Sequence, residues 1–206
     1  MGRDAPIFLI RHGETEGNAA RIVQLPDAAL SPRGVAQAER LGRRLASEGI
    51  ALILSSDLQR AVTTAEAVRR GTGAPIAFDP LLQERNFGAL RGTPYSQLDF
   101  DLFAPDYEPP EGESWPTFHA RVDRAWEAIR TRAAATDGPL AVITHGLVCR
   151  SIAARHVVLP NGVTAPERWE NTSVTIVDGP IPWRVRLLNC ATHLSDHETS
   201  TNATAV

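Results

Sequence analysis

The chain has no lysine: all 21 of its basic residues are arginine. Schiff-base chemistry and the lysine of a phosphate-binding P-loop are therefore excluded. Cys149 and Cys190 are the only cysteines. They are too few for a disulfide framework, and neither has a Cys or His neighbour at metal-binding spacing. No apolar run is long enough to cross a bilayer, and no charged start leads into one, so a cytoplasmic protein without membrane contact is expected. The net charge is only -3, and no basic stripe marks a nucleic-acid surface. Internal repeats and linkers are also missing, and 206 residues are most simply one domain.

Against this background one stretch stands out. Residues 7–10 form an apolar run rich in β-formers that stops at Arg11-His12-Gly13. Such a pattern reads as a buried strand presenting two reactive side chains at its carboxyl end, where open α/β sheets hold ligands. Gly13 lets the backbone turn sharply and approach an anion, and Asn18 adds an amide donor. Residues 140–144 repeat the arrangement, ending in His145-Gly146.

The remaining segments read as scaffold around these two ends. Ser31-Pro32 opens a helix with Val35, Ala38, Leu41 and Leu45 on one face and Gly49 at its end. Residues 51–54 form a strand, and Ser55-Ser56-Asp57 ends it and caps the helix that carries Arg60 in its first turn. After a short strand at 76–78, Glu84 stands among apolar residues, which raise the pKa of an acid; taken alone it reads more readily as a surface glutamate, since Glu is rarely buried. Residues 93–113 are irregular and form an insertion or lid. A long helix follows from Ser114, with Phe118, Val122, Ala125 and Ile129 on one face. Strands are expected at 171–177 and 183–189, then a polar, disordered tail from Ser195.

Three blocks together, Leu9-Ile10-Arg11-His12-Gly13-Glu14-Thr15, Ser55-Ser56-Asp57-Leu58-Gln59-Arg60-Ala61 and Thr144-His145-Gly146, resemble the histidine phosphatase superfamily, also called phosphoglycerate mutase-like. The blocks occur in that family's order between about residues 7 and 194. The resemblance implies an α/β fold: a three-layer α/β/α sandwich with a mostly parallel central sheet, formed by a single domain over residues 1–194. It also implies a metal-independent phosphomonoester hydrolase that works through a phosphohistidine, on a small phosphorylated metabolite as substrate. His12 then attacks phosphorus, Glu84 is the proton donor, and Arg11, Asn18, Arg60 and His145 hold the phosphoryl oxygens. Two arginines and a histidinium supply the positive charge, so no metal or other cofactor is expected.

Other readings remain open. Phe87-Gly88-Ala89-Leu90-Arg91-Gly92 is close to the mutase subgroup's version of this block, which keeps a bisphosphoglycerate-dependent phosphoglycerate mutase in play. Residues 93–113, however, lack that subgroup's arginine pair. Cys149 and Arg155 have the Cys-x5-Arg spacing of cysteine phosphatases, but no glycine lies between them to form an anion loop, and Cys149 reads as a core residue. A non-catalytic phosphate-binding module is a further alternative. Gly112-Glu113-Ser114 resembles a block near the family's lid. His119, His156, His193 and His197 read as lying outside the site, although Thr192-His193-Leu194 recurs in the family. Whether the chain is a monomer or a homodimer stays open.

Overall fold

The computed structural model describes residues 5–195. The expected tail from Ser195 and the reading of His197 therefore lie almost wholly outside the described residues. At the centre of a six-stranded sheet, β1 (Ile7–Arg11) and β4 (Leu140–Thr144) run parallel. Next come β2 (Leu52–Ser55) and β3 (Ile76–Phe78) on one side, and β5 (Val174–Asp178) and β6 (Arg184–Cys190) on the other. The order is β3-β2-β4-β1-β5-β6, with β5 antiparallel to both neighbours and the first four strands parallel.

Side-chain alternation makes both faces of this sheet apolar. Ile7, Leu9, Leu140 and Val142 enter one core, shared with α4 (Trp115–Ala135) and α5 (Gly146–Arg155). Phe8, Ile10, Ala141 and Ile143 enter the other, shared with α2 (Pro32–Leu45) and α3 (Gln59–Thr72). Buried parallel strands with period-two side chains on two packed faces give the three layers directly. Each fully buried Ile or Leu in these layers contributes about 1.5–3 kcal/mol. Among the described residues no helix is long and apolar enough to cross a membrane.

Several local expectations need correction. In α2 the buried face is Gly34, Ala38, Leu41, Gly42 and Leu45, whereas Val35 is 40% exposed. The reason is steric: a Cβ on Gly34 would stand 1.9 Å from the Glu14 carbonyl oxygen, so the glycine, not the valine, faces the first strand's loop. The helix ends at Leu45, and Gly49 lies in the following turn with φ of 67°. Gly13 does not adopt the left-handed backbone. A Cβ there would meet the Gly34 carbonyl oxygen at 2.6 Å, so the missing side chain makes room for the packing of α2. Finally, α3 has Leu58 as its N-cap with no side-chain cap, while Ser56 Oγ accepts from the Leu58 N–H at 3.3 Å just ahead of the helix.

Residues 93–113 form no long element. Tyr95, Leu98, Leu102 and Tyr107 pack with Val23 and Phe87 into a small third core. Backbone bonds from Val23 to Thr93 and from Tyr95 to Arg21 lace this segment to the loop that follows α1 (Glu16–Ala20).

Candidate active site

The carboxyl ends of β1, β4 and β2 meet, as parallel neighbours must. The His12 N–H continues the ladder to Thr144 O at 2.9 Å, and the Ser56 N–H donates to Ile143 O at 2.9 Å. The rings of His12 and His145 thus lie 5.0 Å apart, tilted by 59°. Over them opens a cavity of about 410 Å³ whose walls include Arg11, His12, Asn18, Arg60 and Glu84. His145 is fully buried behind His12 and is not part of the wall.

Each side chain is held from behind. His12 Nδ1 lies 2.6 Å from Gly13 O. A carbonyl only accepts, so Nδ1 carries the proton and Nε2 keeps its lone pair. Burial, then Arg60 and Arg11, hold the His12 pKa well below the ordinary 6.5. The same causes, burial first, with Arg60 and His12 next, hold His145 well below 6.5. The expected histidinium is therefore absent: His145 is neutral, and the positive charge of the site comes from arginine. Its Nε2 pairs with Ser56 Oγ at 2.9 Å, and the same oxygen accepts from the Leu58 N–H at 3.3 Å at the start of α3.

Arg11 donates to Trp169 O. Arg60, in the first turn of α3, donates to Leu25 O at 3.1 Å, and burial lowers its pKa to about 10, so it stays charged at neutral pH. Arg11 Nε, Arg60 Nε and His145 Nδ1 are buried with no hydrogen-bond partner among the described residues. Buried donors of this kind are costly unless an acceptor meets them, and an oxyanion supplies acceptors. Asn18 sits in a capping box with Thr15, and its Oδ1 accepts from Thr15 N and Asn171 Nδ2, both at 3.3 Å. Its NH2 group is left to donate.

Glu84 lines the same cavity. Burial raises its pKa above the ordinary 4.5, against the lowering effect of N–H bonds from Arg85 (3.0 Å) and Leu147 (3.2 Å) and of Arg60 and Arg11. The surroundings are thus more polar than the sequence suggests, while the direction of the shift agrees.

Some supporting residues were not legible in the sequence. Arg121 on α4 donates to the carbonyls of Leu81 (2.8 Å), Gln83 (2.7 Å) and Glu84 (3.2 Å) and is paired with Glu113. This assigns a structural task to the Gly112-Glu113-Ser114 block. Asn171 Nδ2 donates to His12 O at 3.0 Å, and Thr172 N donates to Arg11 O at 3.0 Å. His193 backs this loop: Arg44 donates to its Nδ1 at 2.9 Å, so its Nε2–H donates to Thr172 Oγ1 at 3.1 Å. His119 bonds Ser151, and His156 bonds Asp123, both outside the cavity. Cys149 is fully buried, and burial pushes its thiol pKa up, which fits the core reading. The only sequence sign of Arg121 was its position eight residues after Glu113, and Trp169 showed only as an apolar residue in a polar loop.

A sandwich of this strand order, with an arginine-histidine pair at the end of its first strand, defines a class of phosphoryl-handling proteins. The chain belongs to the histidine phosphatase superfamily, branch 1, whose family model matches residues 7–190. It is 31% identical over 193 residues to a probable phosphoglycerate mutase GpmB of Erwinia tasmaniensis, covering 86% of each chain. Among solved structures it is similar to Bacillus stearothermophilus YhfR, with a TM-score of 0.80 and 31% identity over 92% of this chain and 99% of that one. It is also similar to a mycobacterial glucosyl-3-phosphoglycerate phosphatase in a structure with VO3, at a TM-score of 0.77 and 25% identity, covering 90% and 99%.

Proposed function

We propose that the chain is a metal-independent phosphomonoester hydrolase that forms a phosphohistidine on His12. The observation that carries this reading is the meeting of a neutral His12 with a protonatable Glu84 across one arginine-lined cavity. His12 Nε2 attacks phosphorus, forming an N–P bond as the ester P–O bond breaks. Glu84, as the acid, gives its proton to the departing alkoxide. The resulting carboxylate then takes a proton from water, which attacks the phosphohistidine and releases inorganic phosphate. Arg11, Arg60, Asn18 and His145 are assigned to the phosphoryl oxygens, and Arg11 and Arg60 offset the negative charge that a metal neutralises in other phosphoryl-transfer sites. The Gly13 carbonyl fixes the tautomer of His12 throughout.

A second reading, phosphoryl return to a sugar acid, is favoured by the relatives named as probable phosphoglycerate mutases. Residues 93–113 contain no arginine, which supports hydrolysis. Phosphate release from a panel of phosphomonoesters, with wild type and His12→Ala, separates the two. Release that vanishes in His12→Ala is expected. Isomerisation of 3-phosphoglycerate that requires its bisphosphate, without phosphate release, overturns hydrolysis in favour of mutase activity.

A further inference from the structure

Thr172 occupies a backbone conformation that disfavours its own side chain. Its φ is 56°, and of the non-glycine residues with left-handed φ among the described residues it is the one with a branched Cβ. Glycine and asparagine adopt this region readily, whereas a branched side chain crowds its own backbone there. Such strain persists only where the surroundings over-determine the conformation. Thr172 is fully buried, so the groups that hold it are protein groups.

Its hydroxyl and its amide show what the conformation achieves. Oγ1 donates to Asn171 O at 2.7 Å and accepts from His193 Nε2 at 3.1 Å. The N–H donates to Arg11 O at 3.0 Å and to His12 O at 3.3 Å. Asn171 Nδ2 adds a bond to His12 O at 3.0 Å. Two consecutive residues of one turn, closed by Ser173 N to Glu170 O at 3.1 Å, thus hold both carbonyls at the end of β1.

His193 is in turn fixed from α2. It lies in a short 3₁₀ turn, Thr192–Leu194. Arg44 Nη1 donates to His193 Nδ1 and to Cys190 O, each at 2.9 Å, and Arg40 Nη1 donates to Leu194 O at 3.0 Å. Burial, then Arg44 and Arg40, push the His193 pKa down to about 4, so the ring is neutral at neutral pH. With Nδ1 accepting, its one proton sits on Nε2 and points at Thr172 Oγ1. A run of donors therefore leads from Arg44 to His193, to Thr172, and on to the carbonyls of Arg11 and His12. None of Arg44, His193 and Thr172 lines the cavity.

We infer that His193 is a positioning residue for phosphoryl transfer: held by Arg44, it keeps Thr172 in its left-handed conformation and thereby fixes the backbone that carries Arg11 and His12. A hydroxyl that only tied the last turn to the sheet would not need a branched residue at a left-handed position. The pairing of a disfavoured residue with a partner for its hydroxyl, directly behind the nucleophile, is what carries the inference. It rests on the proposed attack by His12.

The test turns on the backbone of residue 172 in the full chain. It measures kcat/KM for an alkyl phosphate and for p-nitrophenyl phosphate, at a temperature where every variant is folded. His193→Ala and Thr172→Val each leave a branched Cβ without the bond that holds it, and each is expected to lose about tenfold or more through misplacement of His12. The loss should be alike on both substrates, because the nucleophile and not the proton donor is displaced. Thr172→Gly also lacks the hydroxyl but adopts a φ of 56° without strain. It should therefore be more active than Thr172→Val, and adding it to His193→Ala should restore most of the loss. His193→Gln, which keeps a donor near Nε2, should outperform His193→Ala. A role in packing alone predicts the opposite order, because glycine removes more buried contacts than valine. Thr172→Val equal to or better than Thr172→Gly, or no recovery in the double variant, overturns the inference. Amide exchange at residue 172, followed by NMR, reads the same N–H bond without turnover: exchange should be slow in wild type and Thr172→Gly, and about tenfold faster or more in His193→Ala and Thr172→Val. Equal exchange in all four also overturns it. Exchange in the expected order, in a wild-type protein that releases no phosphate from any phosphomonoester, overturns the hydrolase reading and supports the hold of His193 on the His12 backbone.

Discussion

Arg121 and Glu113 form a two-point pair, Nε to Oε1 and Nη2 to Oε2, both at 2.7 Å, on side chains that are 13% and 15% exposed. Glu113 also accepts the Asn86 N–H at 2.9 Å, so this pair holds the chain on both sides of Glu84. Replacing Arg121 by Met leaves a largely buried carboxylate and three carbonyls without their donor. A stability loss of about 2–4 kcal/mol is expected in denaturant melts. At temperatures where the variant is folded, kcat for poor leaving groups should fall about tenfold or more through misplacement of Glu84. Unchanged kcat in a folded R121M would sever the link to Glu84.

Glu84→Gln removes the proton donor while keeping its shape. Turnover of an alkyl phosphate should fall by about 10²–10⁴, and turnover of p-nitrophenyl phosphate, whose leaving group needs little protonation, far less. Equal losses on both substrates would count against acid catalysis by Glu84.

The pH profile should follow from the two shifted groups. His12 must be neutral and stays so below 6.5, while Glu84 must be protonated and stays so above 4.5. For an alkyl phosphate, kcat/KM is expected to fall as pH rises through the raised pKa of Glu84, and to persist in acid below the ordinary histidine range. Glu84→Gln should abolish the alkaline limb; a limb that persists in that variant belongs to another group.

Stability should carry a matching signature. His12 and His145 remain unprotonated in the fold well below 6.5, whereas the unfolded chain gains both protons as pH drops through that value. The unfolded state then binds more protons, so stability falls on acidification, by up to about 1.4 kcal/mol per pH unit for each histidine. Glu84 acts in the opposite sense, because its raised pKa keeps a proton on the folded state above 4.5. Two histidines outweigh one glutamate, and the urea midpoint should drop between about pH 6.5 and 5. A flat midpoint over that range would contradict two neutral buried rings.

Gly34→Ala tests the packing that seats the first strand's loop. In an open helix the change would stabilise by up to about 1 kcal/mol. Here the new Cβ meets the Glu14 carbonyl at 1.9 Å, so a destabilisation of about 3 kcal/mol is expected. Thermal melts of the variant decide the sign.

The sequence by itself determined the frame and the reactive pair of strand ends. Two apolar runs ending in Arg11-His12-Gly13 and His145-Gly146 could be read at once, because buried parallel strands carry uninterrupted hydrophobic residues and announce where they stop. Arg60 was legible through its helix start, and Glu84 through the resemblance of its block. Tertiary structure alone decided the rest, because it depends on partners distant in the chain. Ser56 meets His145 across 89 positions, Asn171 holds the carbonyl of His12 across 159, and Arg121 reaches back 37 to Glu84. No local periodicity encodes such contacts. The charge state of His145 belongs with them: the sequence showed a histidine beside arginines, but only its complete burial among them makes the neutral ring the stable form.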